Sequence, residues 1–168
     1  IENENNHFEF NVIPDRIEAG TFMIAAAAIG GDIQLKKIEP FHLEFITKKL
    51  NELKISTKFE NDSLFVLSSG KYHATNIETL EYPGFPTDLQ AQWMALMTKA
   101  NGTSKIKENI YHDRFTHISE LMRMGANITL NNNVAYVQGV KRLFAAPVMC
   151  TDIRASAALV ISALCADG

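Results

Sequence analysis

The chain lacks an excess of positive charge, a long hydrophobic run and a cysteine framework. Its 16 Lys and Arg residues against 19 Asp and Glu residues give a formal net charge of −3. This argues against nucleic acid as a partner, because proteins that bind it usually carry a basic surface. No stretch approaches the roughly 18 consecutive apolar residues of a membrane span, so no membrane partner is expected. The two cysteines, Cys150 and Cys165, provide neither a disulfide framework nor zinc spacing, and they fit a reduced, cytoplasmic protein.

Of the 168 residues, 46% are hydrophobic and 21% are charged, which is typical of a folded soluble protein. That length is enough for one good-sized domain or two small lobes. The polar residues 1–6 do not resemble a signal peptide. Because the chain starts at Ile1 rather than Met and stops at Gly168 after an apolar stretch, we expect it to be a piece of a longer protein.

The most informative feature of the sequence is an internal repeat. When the sequence is shifted by 71 residues, Gly31 falls on Gly102 and Val66 falls on Val137. Each copy predicts the order helix–strand–helix–strand–strand, and a leading strand completes a βαβαββ unit. The leading strands are predicted at residues 8–13 and 71–77, and the units at residues 8–70, 71–141 and 142–168, the last being cut short after its first helix.

The first helix of each unit is apolar on nearly all faces and rich in small residues. A helix without a polar face is buried all round. We therefore expect these helices to pack side by side in the middle of a single domain, with the strands forming outer sheets, which is an α/β (α+β) architecture. They are predicted at residues 20–31, 88–102 and 154–168, amphipathic second helices at 41–53 and 114–124, and Asn-rich hairpin turns at 61–62 and 131–133.

Equivalent helices related by rotation begin at the same end of a domain, so we expect the three helix starts to converge. Their free N–H groups make that end favourable for anions. Thr87, Asp88 and Asp152 lie at these starts, and simple N-capping is the most frequent role of such residues. Arg16 and Arg154 also lie there and oppose the helix dipole, so we expect each to have an ion pair or an anionic ligand.

Four stretches of the sequence together resemble the UDP-N-acetylglucosamine enolpyruvyl transferases, the 1-carboxyvinyltransferases. They are VIPDRIEAGTFMIAAAAIGGD at residues 12–32, YPGFPTDLQAQ at 82–92, ENIYHDRFTHISELMRMGA at 108–126 and TDIRASAALVISALCADG at 151–168. The resemblance implies a fold of two similar domains, each built from three βαβαββ units around an inside-out α/β barrel, with the active site between them. Under this interpretation the chain is most of the second domain.

The resemblance also implies an activity. Members of this family transfer the enolpyruvyl group of phosphoenolpyruvate to the 3-hydroxyl of UDP-N-acetylglucosamine, and this is the first committed step of peptidoglycan synthesis, with consequences for cell shape and division. No cofactor and no metal ion is implied. The partners implied are the two substrates and the first domain, which carries the family's reactive cysteine. Since Cys150 and Cys165 do not match that cysteine, we expect the chain by itself to be inactive.

The resemblance assigns the main catalytic role to Asp88, which matches the aspartate that contacts the sugar hydroxyl. A helix start stabilises a carboxylate as the anion, which disfavours it as a base in isolation, so Asp88 either accepts the hydroxyl proton or only orients the hydroxyl. Thr87 beside it is a candidate for substrate binding. Ile110 matches a position that contacts the uridine nucleotide, and it is also expected in the core of a strand.

Three arginines complete the candidate site. Arg114 and Arg154 match arginines of the family's cleft, and a surface ion pair with Asp113 or Glu120 is the alternative for Arg114. Arg16 is expected to act through the electrostatics of the cleft or an interdomain ion pair.

Two competing functions remain. One is an RNA-end-binding module, because related βαβαββ units occur in RNA 3′-phosphate cyclase, and the other is an inactive scaffold.

Overall fold

The computed structural model describes residues 8–168, in which the order of elements repeats as the sequence predicts. The strands that begin at Asn127 and Val134 lie 71 residues after those that begin at Ser56 and Ser63. The first group is α1 (Arg16–Ile29), β1 (Gly31–Lys36), a 3-10 turn (Pro40–Leu43), α2 (Glu44–Glu52), β2 (Ser56–Glu60) and β3 (Ser63–Ser68). The second is β4 (Ile77–Glu78), a 3-10 turn (Thr87–Leu89), α3 (Gln90–Met97), β5 (Thr103–Lys107), α4 (His117–Arg123), β6 (Asn127–Asn131) and β7 (Val134–Gln138). The last is β8 (Leu143–Phe144), α5 (Ile153–Leu164) and β9 (Ala166–Asp167).

Each complete group forms its own sheet. The first sheet has the strand order β1-β3-β2 and the second has the order β4-β5-β7-β6. The hairpins β2–β3 and β6–β7 are antiparallel and turn through two residues, of which Asn61 (φ 54°) and Asn132 (φ 51°) adopt the left-handed conformation. Asparagine tolerates that conformation better than most residues, and both predicted hairpins are confirmed.

The apolar helices pack against one another inside these sheets, as expected. α3 contacts both α1 and α5, and α1 also contacts α5. α1 packs on β1 and β3, and α3 packs on β5 and β7. Every residue of α3 is buried, including Trp93, Met94 and Met97. The α/β architecture with buried helices and outer sheets is therefore confirmed.

Several predicted boundaries are wrong. α1 begins earlier than residue 20 because Asp15 caps it, and α3 ends at Met97, where 3-10-type hydrogen bonds tighten the chain before Gly102 (φ 112°). α5 ends at Leu164, and Ala166–Asp167 pairs in parallel with β8 instead of continuing the helix. A helix ends where its last turn tightens or where the following residues pair with a strand. Neither can be predicted from local helix propensity.

The leading strand expected at residues 8–13 does not form. Phe8, Phe10 and Val12 alternate as in a strand, but their side chains are exposed and no strand within residues 8–168 pairs with them. A strand needs a hydrogen-bonded neighbour, so alternation alone is insufficient. In the second group the leading strand is only two residues long, β4, which pairs in parallel with β5.

Candidate functional site

The starts of the three central helices meet at one end of the domain. The first turns of α1 and α5 and the residues around the start of α3 line a cavity of ≈ 570 Å³. The side-chain amide of Gln92 in α3 donates to Thr21 Oγ1 of α1 at 3.2 Å, so the helices are tied together near these ends. The residues lining the cavity include Asp15, Glu18, Asp88, Gln92, Ile153 and Arg154.

Asp88 lies between two arginines at this end of the domain. Its Oδ1 accepts hydrogen bonds from Nε of Arg154 at 2.7 Å and from Nη1 of Arg114 at 3.1 Å, and Nη2 of Arg154 lies 2.7 Å away. No donor of residues 8–168 bonds Oδ2 of Asp88. The Asp88 side chain is 33% exposed. The carboxylate is therefore held by one oxygen, while the other remains available to a ligand.

N-capping, the most frequent role of such residues, holds for Asp152 but not for Asp88 or Thr87. Asp152 Oδ1 accepts from the backbone N–H groups of Arg154 and Ala155, at 2.8 and 3.0 Å, and caps α5. Neither the 3-10 turn at Thr87 nor α3 has a side-chain cap. Thr87 and Asp88 make long-range contacts instead, and such contacts point to a role beyond local helix stability.

Arg114 belongs to a cluster with Thr87, Asp88 and Arg154, referred to below as the cluster, rather than to a surface ion pair. Its Nη1 also donates to Thr87 Oγ1 at 3.0 Å, and its guanidinium carbon lies 4.2 Å from the centre of the Tyr111 ring. Among residues 8–168 it forms no salt bridge with Asp113 or Glu120, the partners of the alternative interpretation. The ring and the two polar partners hold the guanidinium in one place, since stacking and hydrogen bonding constrain different directions.

Glu108 lies directly beneath the cluster and was not singled out from the sequence. It is fully buried, and its carboxylate accepts four hydrogen bonds. The donors are Thr79 Oγ1 at 2.6 Å, Thr87 Oγ1 at 2.9 Å and the backbone N–H groups of Ile110 and Tyr111 at 2.9 and 3.0 Å. The sequence contains one indication of its role. Glu108 is a carboxylate directly after the end of β5, and it lies within one of the four stretches that carry the family resemblance.

The remaining two candidates lie at the edges of this arrangement. Ile110 is 37% exposed, so the expected burial in a strand is wrong, and its backbone N–H points into the Glu108 carboxylate. Arg16 lies apart from Asp88, with its guanidinium carbon 4.7 Å from the centre of the Tyr82 ring. Within residues 8–168 no salt bridge joins Arg16 to a carboxylate, and its contact there is a cation–π contact; the interdomain ion pair stays a prediction.

A second polar group adjoins the start of α5. Thr116 Oγ1 lies 3.2 Å from Thr151 Oγ1 and donates to Asp152 Oδ2 at 3.4 Å. The backbone hydrogen bond from Ala155 is the main cause that lowers the pKa of Asp152. Burial lowers the pKa of the neighbouring His117 to about 4, against a smaller opposing effect of the Asp152 charge. His117 is therefore neutral near pH 7.

Metal ligands and membrane segments are not found in the part of the chain that the structure describes. Residues 8–168 contain no group of three or more His, Cys, Asp or Glu side chains that could hold a metal ion. None of the helices in that range has the length and apolar character needed to cross a membrane. Within the same range, Cys150 is exposed and Cys165 is half-buried, and neither forms a disulfide.

The cluster is suited to binding a polar ligand that carries both a hydroxyl and negative charge. Asp88 offers a free carboxylate oxygen to a hydroxyl, and the two guanidinium groups stabilise nearby negative charge. The open cavity beside it is large enough for part of a small molecule. These are the elements needed to orient a hydroxyl nucleophile beside an anionic reactant.

Comparison of the sequence with known proteins identifies its relatives. The profile of the family described as EPSP synthase (3-phosphoshikimate 1-carboxyvinyltransferase) matches residues 2–168. A UDP-N-acetylglucosamine 1-carboxyvinyltransferase of Thermodesulfovibrio yellowstonii is 52% identical over 159 residues, which are 95% of this chain and 38% of the relative. A protein of the same name from Campylobacter jejuni subsp. jejuni is 51% identical over 160 residues, again 95% of this chain and 38% of the relative. The chain thus spans about two fifths of the length of these relatives.

Solved structures of low sequence identity share the fold. The enolpyruvyl transferase NikO from Streptomyces tendae superposes with a TM-score of 0.81 at 20% identity, over 94% of this chain and 38% of that protein. EPSP synthase from Acinetobacter baumannii gives a TM-score of 0.71 at 11% identity, over 95% of this chain and 39% of that protein. The resemblance drawn from the four sequence stretches is confirmed by the family profile and by the relatives that are 51–52% identical.

Proposed function

Because the chain belongs to the EPSP synthase (3-phosphoshikimate 1-carboxyvinyltransferase) family, we propose that it is part of an enzyme that transfers an enolpyruvyl group from phosphoenolpyruvate to the 3-hydroxyl of UDP-N-acetylglucosamine. The names of relatives that are 50–52% identical support this acceptor. The reaction joins a sugar hydroxyl to the enolpyruvyl group and releases phosphate. It belongs to the cytoplasmic stage of peptidoglycan synthesis, on which cell shape and division depend.

The observation that carries the proposal is the position of Asp88 between Arg114 and Arg154 at the shared helix starts. The free Oδ2 of Asp88 is suited to accept a hydrogen bond from the attacking hydroxyl, which orients the hydroxyl or takes up its proton. The two guanidinium groups counterbalance the anionic groups of the substrates. Ile110 and Thr87 flank this point, and in our proposal they contact the nucleotide sugar.

The same proposal assigns the chain to most of one domain. Its units would cover residues 8–70, 71–141 and 142–168, the last being incomplete. The remaining three fifths of the relatives' length would supply the other domain, with the reactive cysteine and the groups that hold phosphoenolpyruvate. In this arrangement Arg16, stacked on Tyr82 beside the helix starts, faces the other domain and contributes positive charge to the cleft.

The test is the replacement of Asp88 in the full-length protein that contains this chain. We expect Asp88→Ala to lower kcat by about 100-fold or more, which is the range of a lost proton acceptor, while the circular dichroism and the thermal midpoint stay close to those of the unchanged protein. The measurement is phosphate release from phosphoenolpyruvate in the presence of UDP-N-acetylglucosamine. Asp113→Asn is the matched control, because Asp113 is an exposed carboxylate of the same region outside the cluster.

Asp88→Asn separates the two roles of this carboxylate. With the carbonyl oxygen of the amide on the arginines, its NH2 replaces Oδ2, and this group holds a hydroxyl only by donating to its oxygen and does not take up its proton. If Asp88 is the proton acceptor, kcat of Asp88→Asn falls as far as that of Asp88→Ala and its pH–rate profile loses the limb that belongs to the carboxylate. Near-normal turnover of Asp88→Ala would refute the assignment of Asp88 to the site.

A further inference from the structure

We propose that Glu108 is a positioning residue that fixes the geometry of Thr87, Arg114 and, through them, Asp88. The kinetic part of this proposal rests on the proposed function, whereas the structural part does not. Glu108 does not reach the surface and therefore does not touch a substrate. Its effect is transmitted by hydrogen bonds to side chains and backbone groups that do border the site.

The carboxylate of Glu108 joins three separate segments of the chain. Oε1 accepts from Thr79, which directly follows β4, and from the backbone N–H groups of Ile110 and Tyr111 after β5. Oε2 accepts from Thr87 in the turn that leads into α3. A buried carboxylate is costly unless its oxygens are bonded, so these segments are held at the positions that satisfy it.

The direction of the Thr87 hydrogen bonds links Glu108 to the partly exposed residues Arg114 and Asp88. Thr87 donates its only hydroxyl proton to Glu108, which leaves the lone pairs of Oγ1 for a donor from the other side. Arg114 supplies that donor through Nη1, the same nitrogen that bonds Asp88. A carboxylate at position 108 therefore makes Thr87 an acceptor toward Arg114.

Glu108 also acts on Arg114 through Tyr111. The backbone N–H of Tyr111 is bonded to Oε1, and the Tyr111 ring lies against the guanidinium group, 4.2 Å from its central carbon. Glu108 thus determines both the ring on which Arg114 stacks and the hydroxyl to which it donates. Loss of either contact frees a long side chain that would otherwise be aligned with Asp88.

The experiment compares Glu108→Gln, Thr87→Val and the double variant in the full-length protein. In Glu108→Gln the carbonyl oxygen replaces Oε1, and the amide nitrogen then faces the Thr87 hydroxyl, so this hydroxyl no longer has its acceptor. Thr87→Val removes the same link at a less buried position and serves if Glu108→Gln fails to fold. The control is Val66→Ala, which creates a cavity beneath the first sheet. It lowers stability without touching the cluster.

We expect Glu108→Gln and Thr87→Val each to lower kcat by about tenfold or more, as misplacement of aligned groups does. The double variant should be little worse than either single variant, because both remove one shared link. Val66→Ala should lower the thermal midpoint and leave kcat unchanged. If Glu108→Gln lowers the thermal midpoint but keeps the kcat of the unchanged protein, Glu108 is only structural and the proposal is overturned.

A crystal structure of Glu108→Gln separates this proposal from the proposed function. We expect Arg114 to leave Thr87 and Asp88 in that structure. If the unchanged full-length protein transfers no enolpyruvyl group, the proposed function fails, and the position of Arg114 then decides the present proposal. Arg114 still bonded to both Thr87 and Asp88 would overturn it.

Discussion

Aspartates near the helix starts have two different physical roles. Asp15 and Asp152 accept hydrogen bonds from the backbone of the first turn and stabilise α1 and α5. Asp88 lies just before α3 but bonds Arg114 and Arg154 instead. The difference comes partly from position, because Asp15 and Asp152 directly precede their helices whereas Asp88 lies within the 3-10 turn before α3, and partly from the arginines that tertiary packing brings to Asp88.

His117 gives the clearest prediction for a single side chain. It is 2% exposed, its Nε2 has no hydrogen-bond partner within residues 8–168, and burial lowers its pKa from 6.5 to about 4. The unfolded chain therefore binds a proton near pH 6.5, whereas the folded chain resists it down to about pH 4. Stability is fully present above the higher pKa and falls as the pH drops toward the lower one.

Because of His117, we expect the unfolding free energy of the full-length protein to fall by about 2 kcal/mol when the pH is lowered from 7 to 5. The measurement is urea unfolding at both pH values. His117→Phe, which fills similar space without titrating, should flatten that part of the pH dependence. An unchanged pH dependence in the variant would show that His117 is accessible to protons in the folded state.

Helix ends decide how the central elements meet. α1 and α5 carry aspartate caps, whereas the start of α3 is a 3-10 turn whose side chains are bonded to other segments. The cap of α5 also places the Arg154 side chain, because Arg154 N is one of the two groups that Asp152 bonds. The capped helix start and the position of the guanidinium group are therefore coupled.

At this scale we expect Asp152→Ala to lower the stability of the full-length protein by about 1 kcal/mol, the usual cost of a lost N-cap. Asp152→Asn should retain most of the stability at neutral pH, since asparagine caps nearly as well. The wild-type contribution should decline below about pH 4, because the pKa of Asp152 is lowered in the folded state from 3.8. Denaturant midpoints of the three proteins provide the comparison, and equal losses in both variants would contradict a capping role.

Viewed as a whole, the helix bundle is covered unevenly. α3 is buried over its full length, whereas α1 and α5 leave large apolar side chains about half exposed, among them Phe22, Ile29, Val160 and Leu164. The candidate site opens at one end of this bundle, and solvent reaches Asp88 and Arg154. Water weakens the interaction of these charges with a ligand, so the site as described is poorly insulated for catalysis.

We therefore expect the isolated 168-residue chain to release no phosphate from phosphoenolpyruvate above the uncatalysed rate, with or without UDP-N-acetylglucosamine. The full-length protein at the same molar concentration is the positive control. Turnover by the isolated chain at a rate comparable with that of the full-length protein would show that the remaining part of that protein is dispensable, and it would refute the proposed assignment of essential groups to that part.

The sequence alone determined the repeat, the three apolar helices, both hairpins and the positions of Thr87, Asp88, Arg114 and Arg154 near helix starts or loops. These features follow from local periodicity and turn chemistry, which act between residues close in the chain. The same reasoning failed at residues 8–13, where a strand pattern has no paired neighbour, and at the ends of α3 and α5.

Only the tertiary structure decided which of the candidate residues act together. Asp88 bonds Arg114 across 26 positions and Arg154 across 66, and Glu108 joins the segments around them from a buried position. Arg16, equally plausible from its place in the sequence, lies against Tyr82 instead. The physical reason is that contacts between side chains so far apart in the sequence depend on how the helices pack. No local sequence pattern determines that packing.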